Sequence, residues 1–143
     1  MKYCTRKVEF DAGHRVHGHE SKCARLRGHR YVVEITAAAP ELDSIGRVID
    51  FSVLKEVIGG WIDEEWDHRL LLWEGDSILY GIEIDNLGVV YVPFNPTAEN
   101  MAKWLLHHSN RLLGEAGKTE VVVRRIRVYE TPNCWSEYEE TNE

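Results

Sequence analysis

Residues 10–31 read FDAGHRVHGHESKCARLRGHRY, a polar run broken by glycines and set between two segments that alternate as strands. A stretch of that composition cannot itself continue either strand. The chain must therefore leave one strand, cross a loop and return, and this first hairpin dictates how everything downstream packs. The same stretch carries four of the seven histidines (His14, His17, His19, His29) and one of the three cysteines, Cys23. Imidazole and thiolate are the usual donors to zinc, and their crowding here is the sequence trace of a metal or catalytic centre.

The first strand covers residues 3–10 and the second 26–39, followed by a turn at PELDSIG. Asp50 or Ser52 is placed to cap a helix in which Val53, Leu54, Val57, Ile58 and Trp61 recur at helical spacing. The acidic exit DEEWDH leads to Leu70-Leu71-Leu72-Trp73, and residues 77–91 read as a connection ending in a short extended piece at 88–92. Asn95-Pro96-Thr97 starts a second helix, with Met101, Leu105 and Leu112 inward and Gly114 as its stop. Residues 121–129 and 131–138 read as two last strands. The order ββααββ predicts one α+β domain over residues 1–143, a four-stranded antiparallel sheet with both helices on one face. The other face then needs cover, which points to an oligomer.

Composition excludes some classes of partner. Lys and Arg number 17 against 24 Asp and Glu, a net charge of −7, so no broad basic surface exists for nucleic acid. No apolar run approaches the roughly 18 residues of a membrane span. Widely spaced Cys4, Cys23 and Cys134 give no disulfide framework, and the N-terminus lacks the apolar core of a secretory leader. These features predict a cytoplasmic protein.

If the first two strands pair, His14 at the end of one and His29 at the start of the other converge on one metal. Cys23 sits among Lys22, Arg25 and Arg27, whose charges favour a thiolate, whereas Cys4 and Cys134 have no such company. Asp67 and His68 have the makings of a proton shuttle. Glu130, with Thr131 beside it, offers a carboxylate to a guanidine-like heterocycle edge. His107 and His108, late in a helix, read as solvated or as partners of the helix dipole.

The pieces FDAGHRV, GHESKCARL, GHRY, VIDFSVLK, DHRLLL, NPTAENMAKWL and VYETPNCWSEY occur together and in order. On these the chain resembles the 6-pyruvoyl-tetrahydropterin synthase / 6-carboxytetrahydropterin synthase family, which has the tunnelling fold, and within it the bacterial queuosine-pathway branch. The resemblance implies a zinc-dependent lyase that converts 7,8-dihydroneopterin triphosphate into 6-carboxy-5,6,7,8-tetrahydropterin, acetaldehyde and triphosphate. It implies Cys23 as general base, Asp67 and His68 as relay pair, Glu130 with nearby Thr131 as the pterin anchor, and His14 and His29 as two of three zinc ligands. It also implies hexamers built from two trimers, with sheets closed into barrels and active sites between subunits. Alternatives are 6-pyruvoyl-tetrahydropterin synthase proper, or a pterin-binding protein that has lost its metal. One departure bears on all of them. The family pattern is His-Gly-His, and here it is Arg27-Gly28-His29. A guanidinium has no lone pair to give a metal. Either His17 or His19 takes the empty place, or zinc binds weakly or not at all, or the Arg27 cation itself substitutes. For the triphosphate, Lys22, Arg15 and Arg127 are candidates by charge alone.

Overall fold

The computed structural model describes residues 1–18, 25–84 and 86–141. Cys23, His19 and Lys22 lie outside the described residues. Among the described residues, six strands form one mixed sheet in the order β4-β3-β1-β2-β5-β6. They are β1 (Lys2–His14), β2 (Arg27–Ala39), β3 (Arg69–Trp73), β4 (Val89–Val92), β5 (Val122–Thr131) and β6 (Cys134–Glu139).

The four expected strands are present and antiparallel, and β1 and β2 stay in register from Lys2↔Ala39 to His14↔Arg27. The expectation of only four is corrected by β3 and β4. Each is a short apolar piece with no alternation of its own, and each becomes a strand through a distant partner: β3 lies parallel to the end of β1 and β4 parallel to β3. The sheet is therefore mixed.

A continuous helical segment over residues 51–65, here α1, opens with one turn at Phe51–Val53, passes through a π-helical stretch Leu54–Gly59 and ends as α-helix at Gly60–Glu65. Asp50 caps it, its carboxylate accepting from the Ser52 amide at 2.9 Å. The π-helical stretch coincides with a close approach to β1, where a Cβ on Gly59 would stand 3.0 Å from a Val8 methyl. The second helix, α2 (Ala98–Glu115), is capped by Thr97, which accepts from the Asn100 amide. It does not stop at Gly114. Gly117 (φ 78°) takes the left-handed position, and the Lys118 amide reaches back to the Leu113 carbonyl. Leu113, and not Leu112, is the fully buried residue of its last turn.

Both helices cover the same face of the sheet, where Phe10, Tyr31, Val33, Ile35, Ile126 and Val128 meet Leu54, Ile58, Ile62, Met101 and Leu105. Trp66, 1% exposed, is the hub of this core, with ring centres of Trp61, Trp104, Phe10 and Phe94 5.4–6.4 Å from its own. Truncating so large a buried ring removes its contacts and leaves a cavity, so Trp66→Ala should cost about 3–5 kcal/mol. A thermal melt should show Tm lower by roughly 10 °C or more.

His108 belongs to this cluster and is not solvated. It is 8% exposed, stacks on Trp104 at 4.5 Å, meets Trp61 edge-on at 4.3 Å, and accepts through Nδ1 from Arg111. Burial first, and then the Arg111 cation, hold its pKa below the usual 6.5, with Glu115 opposing. Protonation therefore favours the unfolded chain, and stability is lost as pH falls below that ordinary value. Tm should drop more between pH 7.5 and 5 for the native chain than for His108→Phe.

The opposite face is a lattice of charges. Glu34 accepts from Tyr129 Oη and lies 3.8 Å from both Lys7 and Arg127, Arg127 pairs with Glu137 at 2.7 Å, and Arg30 pairs with Asp11 at 2.9 Å.

Candidate active site

Strand geometry places the first group of donors. Residues 10, 12 and 14 of β1 and residues 27, 29 and 31 of β2 point to the helix-covered side, because alternate side chains share a face. The register sets His14 opposite Arg27, and Ala12 opposite His29. His14 is 3% exposed, and its Nδ1 lies 2.7 Å from the Pro96 carbonyl just ahead of α2. A carbonyl only accepts, so Nδ1 carries the proton and Nε2 keeps the lone pair. His29 lies with its ring centre 5.0 Å from that of His14. Burial first, then His14 and Arg27, lower the His29 pKa against the opposing pull of Glu130, which favours the neutral, donor form.

Glu130 arrives from β5, one alternation beyond Val128, with Oε2 3.9 Å from His29 Nε2. These residues line a cavity of about 290 Å³ together with Arg27, Thr97 and Glu99. Tyr31 packs edge-on against both imidazoles, and its Oη is buried with no hydrogen-bond partner among the described residues. Burial and the nearby Glu130 push its pKa far up, so it stays a protonated donor.

The donor chemistry fits a metal ion. One ligand atom from each of His14, His29 and Glu130 lies within 4.8 Å of the others. Ligands of a tetrahedral zinc stand about 3.3 Å apart, so small side-chain movements close the set.

His17 does not join this group. Asn95 brackets it, accepting from its amide and donating to its carbonyl, both at 2.9 Å, and its ring packs on Trp73 beside Asp76. Of the two loop histidines open for the empty ligand place, His17 has its backbone clamped by Asn95 and its ring on Trp73, and His19 lies outside the described residues. Arg15 is similarly occupied, with both oxygens of the buried Asp76 carboxylate at 2.6 and 2.7 Å. Arg127 is paired with Glu137 on the opposite face of the sheet.

Asp67 and His68 form a second constellation. His68 has φ 61°, a left-handed turn that folds the pair back on itself. Its Nδ1 lies 2.9 Å from Asp67 Oδ2, Asp67 Oδ1 accepts from the Asp11 amide, and the His68 amide donates to the Asp11 carbonyl. The Asp11 amide first, with His68 adding to it, holds the Asp67 carboxyl below its usual range. The His68 side chain is 76% exposed and lines a separate depression with Asp11, Gly13, Gly28 and Arg30, which shares only His29 with the cavity of His14 and Glu130. Thr131 also lies apart from Glu130, in a depression with Lys7, Arg30 and Tyr129. The sequence does not mark Thr97 or Glu99 as cavity residues, nor Tyr31 as the ring packed on both imidazoles. Their signals, a cap, a first-turn acid and a strand aromatic, are those of ordinary structure.

A family model described as 6-pyruvoyl tetrahydropterin synthase matches residues 3–141. A protein of Rickettsia bellii named 6-carboxy-5,6,7,8-tetrahydropterin synthase is 46% identical over 141 residues, covering 96% of this chain and 99% of the relative. One of the same name from Haemophilus influenzae is 29% identical over 146 residues, covering 95% and 97%. Among solved structures, an uncharacterised Wolinella succinogenes protein has a TM-score of 0.84 at 25% identity and covers 98% of each chain. The 6-pyruvoyl tetrahydropterin synthase of Plasmodium vivax has a TM-score of 0.75 at 18% identity, covering 99% of this chain and 100% of that one, a likeness of fold.

Proposed function

The chain belongs to the 6-pyruvoyl tetrahydropterin synthase family, and from that premise we propose that it is a 6-carboxy-5,6,7,8-tetrahydropterin synthase. It acts in the cytoplasm on 7,8-dihydroneopterin triphosphate, in the route to queuosine and related 7-deazaguanines. Near-complete mutual coverage at 46% identity with a relative of that name carries the reading. The cavity supports it: two imidazoles and a carboxylate suit a metal and a polar heterocycle together.

Zinc, held by His14 and His29, would act as a Lewis acid that makes the side-chain hydroxyls of the substrate and the adjacent C–H more acidic. The remaining work falls to the chain. Glu130 accepts hydrogens from the pterin edge, and the Tyr31 ring packs edge-on behind the two imidazoles. Cys23 is the base that removes the acidified proton. Asp67 orients the His68 ring through Nδ1, leaving Nε2 at the solvent side to pass a proton.

Since His68 lines a different depression from Glu130, the reading places a complete site between copies of the chain, as in a hexamer of two trimers. The free length of β1 beyond its short pairing with β3, and the outer edge of β6, are the two sheet edges such an assembly would join.

The test is product analysis. Purified protein given 7,8-dihydroneopterin triphosphate and zinc should release 6-carboxytetrahydropterin and acetaldehyde. A 6-pyruvoyl product would make it the other synthase of the family, and no turnover would overturn the enzyme reading.

A further inference from the structure

We propose that Glu130 is the third metal ligand of this chain, so that the centre is His14–His29–Glu130 in place of three histidines. The register sets Arg27 opposite His14, where a third imidazole would point into the same cavity, and a guanidinium cannot ligate. His17, the other described imidazole of the opening stretch, has its backbone clamped by Asn95 and its ring on Trp73. The β5 strand meanwhile delivers a carboxylate to the two remaining histidines, with all three donor atoms within 4.8 Å of one another.

Two imidazoles and one carboxylate form an established catalytic zinc set that keeps a fourth position open. The Nδ1 bond of His14 to Pro96 already commits its Nε2 to the role of donor. Charge argues the same way. A histidine replaced by arginine adds a positive charge beside a dication, and an anionic ligand offsets it. Glu130 then works with both oxygens: one on the metal, the other on the pterin edge. The inference rests on the proposed reading of this cavity for the choice of zinc, but not on turnover, because its test contains no pterin.

The test is the zinc affinity of metal-free protein, measured by competition with a chromophoric chelator. The native chain should bind one zinc per chain, and Glu130→Gln should bind at least about 100-fold more weakly. Arg27→His added to Glu130→Gln should restore affinity to within about tenfold of native, because the new imidazole takes the vacated ligand place. Glu130→Gln binding as tightly as native protein overturns the assignment, and so does failure of the added histidine to restore binding. Cobalt(II) loaded into the native chain gives a check without mutation of Glu130. A spectrum without an intense thiolate-to-cobalt band supports the nitrogen–oxygen set. A band that disappears in Cys23→Ser overturns it by making Cys23 the ligand.

Discussion

Cys23→Ala is expected to slow turnover of 7,8-dihydroneopterin triphosphate by about 10²–10⁴-fold, the usual cost of removing a positioned base. Zinc content and melting temperature should stay near native. The reason lies in local charge: Lys22, Arg25 and Arg27 surround the thiol in sequence, and cations favour a thiolate over a thiol. Neither other cysteine can substitute. Burial pushes the Cys4 thiol up, with the backbone bond to Ile49 opposing, and Cys134 sits exposed at the start of β6. Turnover should also shift with pH: the native rate should rise with thiolate formation, and the residual rate of Cys23→Ala should lack that limb. Native-like turnover in Cys23→Ala would remove the base assignment.

A second large effect follows from the separation of Asp67 and His68 from the cavity of His14, His29 and Glu130. His68→Ala and His29→Ala should each lose at least about 10²-fold in turnover if, as proposed, one removes the proton relay and the other a metal ligand. Mixed and reassembled in equal amounts, the two inactive proteins should recover about a quarter of native activity. If each site takes His29 from one copy and His68 from another, random pairing leaves a quarter of the sites intact. No recovery, with exchange of subunits shown independently, would mean that each chain works alone and that His68 reaches its own cavity.

Much of the fold is legible in the order of the residues alone. Alternation marks β1, and β-branched and aromatic residues mark β2 and β5, while β6 shows only as an extended run after Pro132. Cap residues and apolar spacing mark both helices. β4 is legible only as a short extended piece and β3 not at all: LLLW and VVYV carry no alternation, and only the chain of pairing that starts at β1, more than fifty positions away, joins them to the sheet. His108 departs from expectation because sequence shows its place late in α2 but not that Trp61 and Trp104 enclose it.

In the site, His14 and His29 are readable from one hairpin, since thirteen paired positions fix their faces. The Asp67–His68 hydrogen bond is not, because it depends on a left-handed turn at a non-glycine residue. The nearness of Glu130 to His29 is not legible either, for it spans about a hundred residues and is created by the pairing of β2 with β5. Arg27, the residue that breaks the family pattern, is plain in the sequence. What answers it becomes visible only when the sheet is assembled.

The most direct measurement is a zinc titration of the metal-free protein followed by turnover of 7,8-dihydroneopterin triphosphate. Activity should rise in proportion to added zinc and level off at one ion per chain, with 6-carboxytetrahydropterin as product. Full turnover by zinc-free protein, or none with the metal bound, would contradict the account.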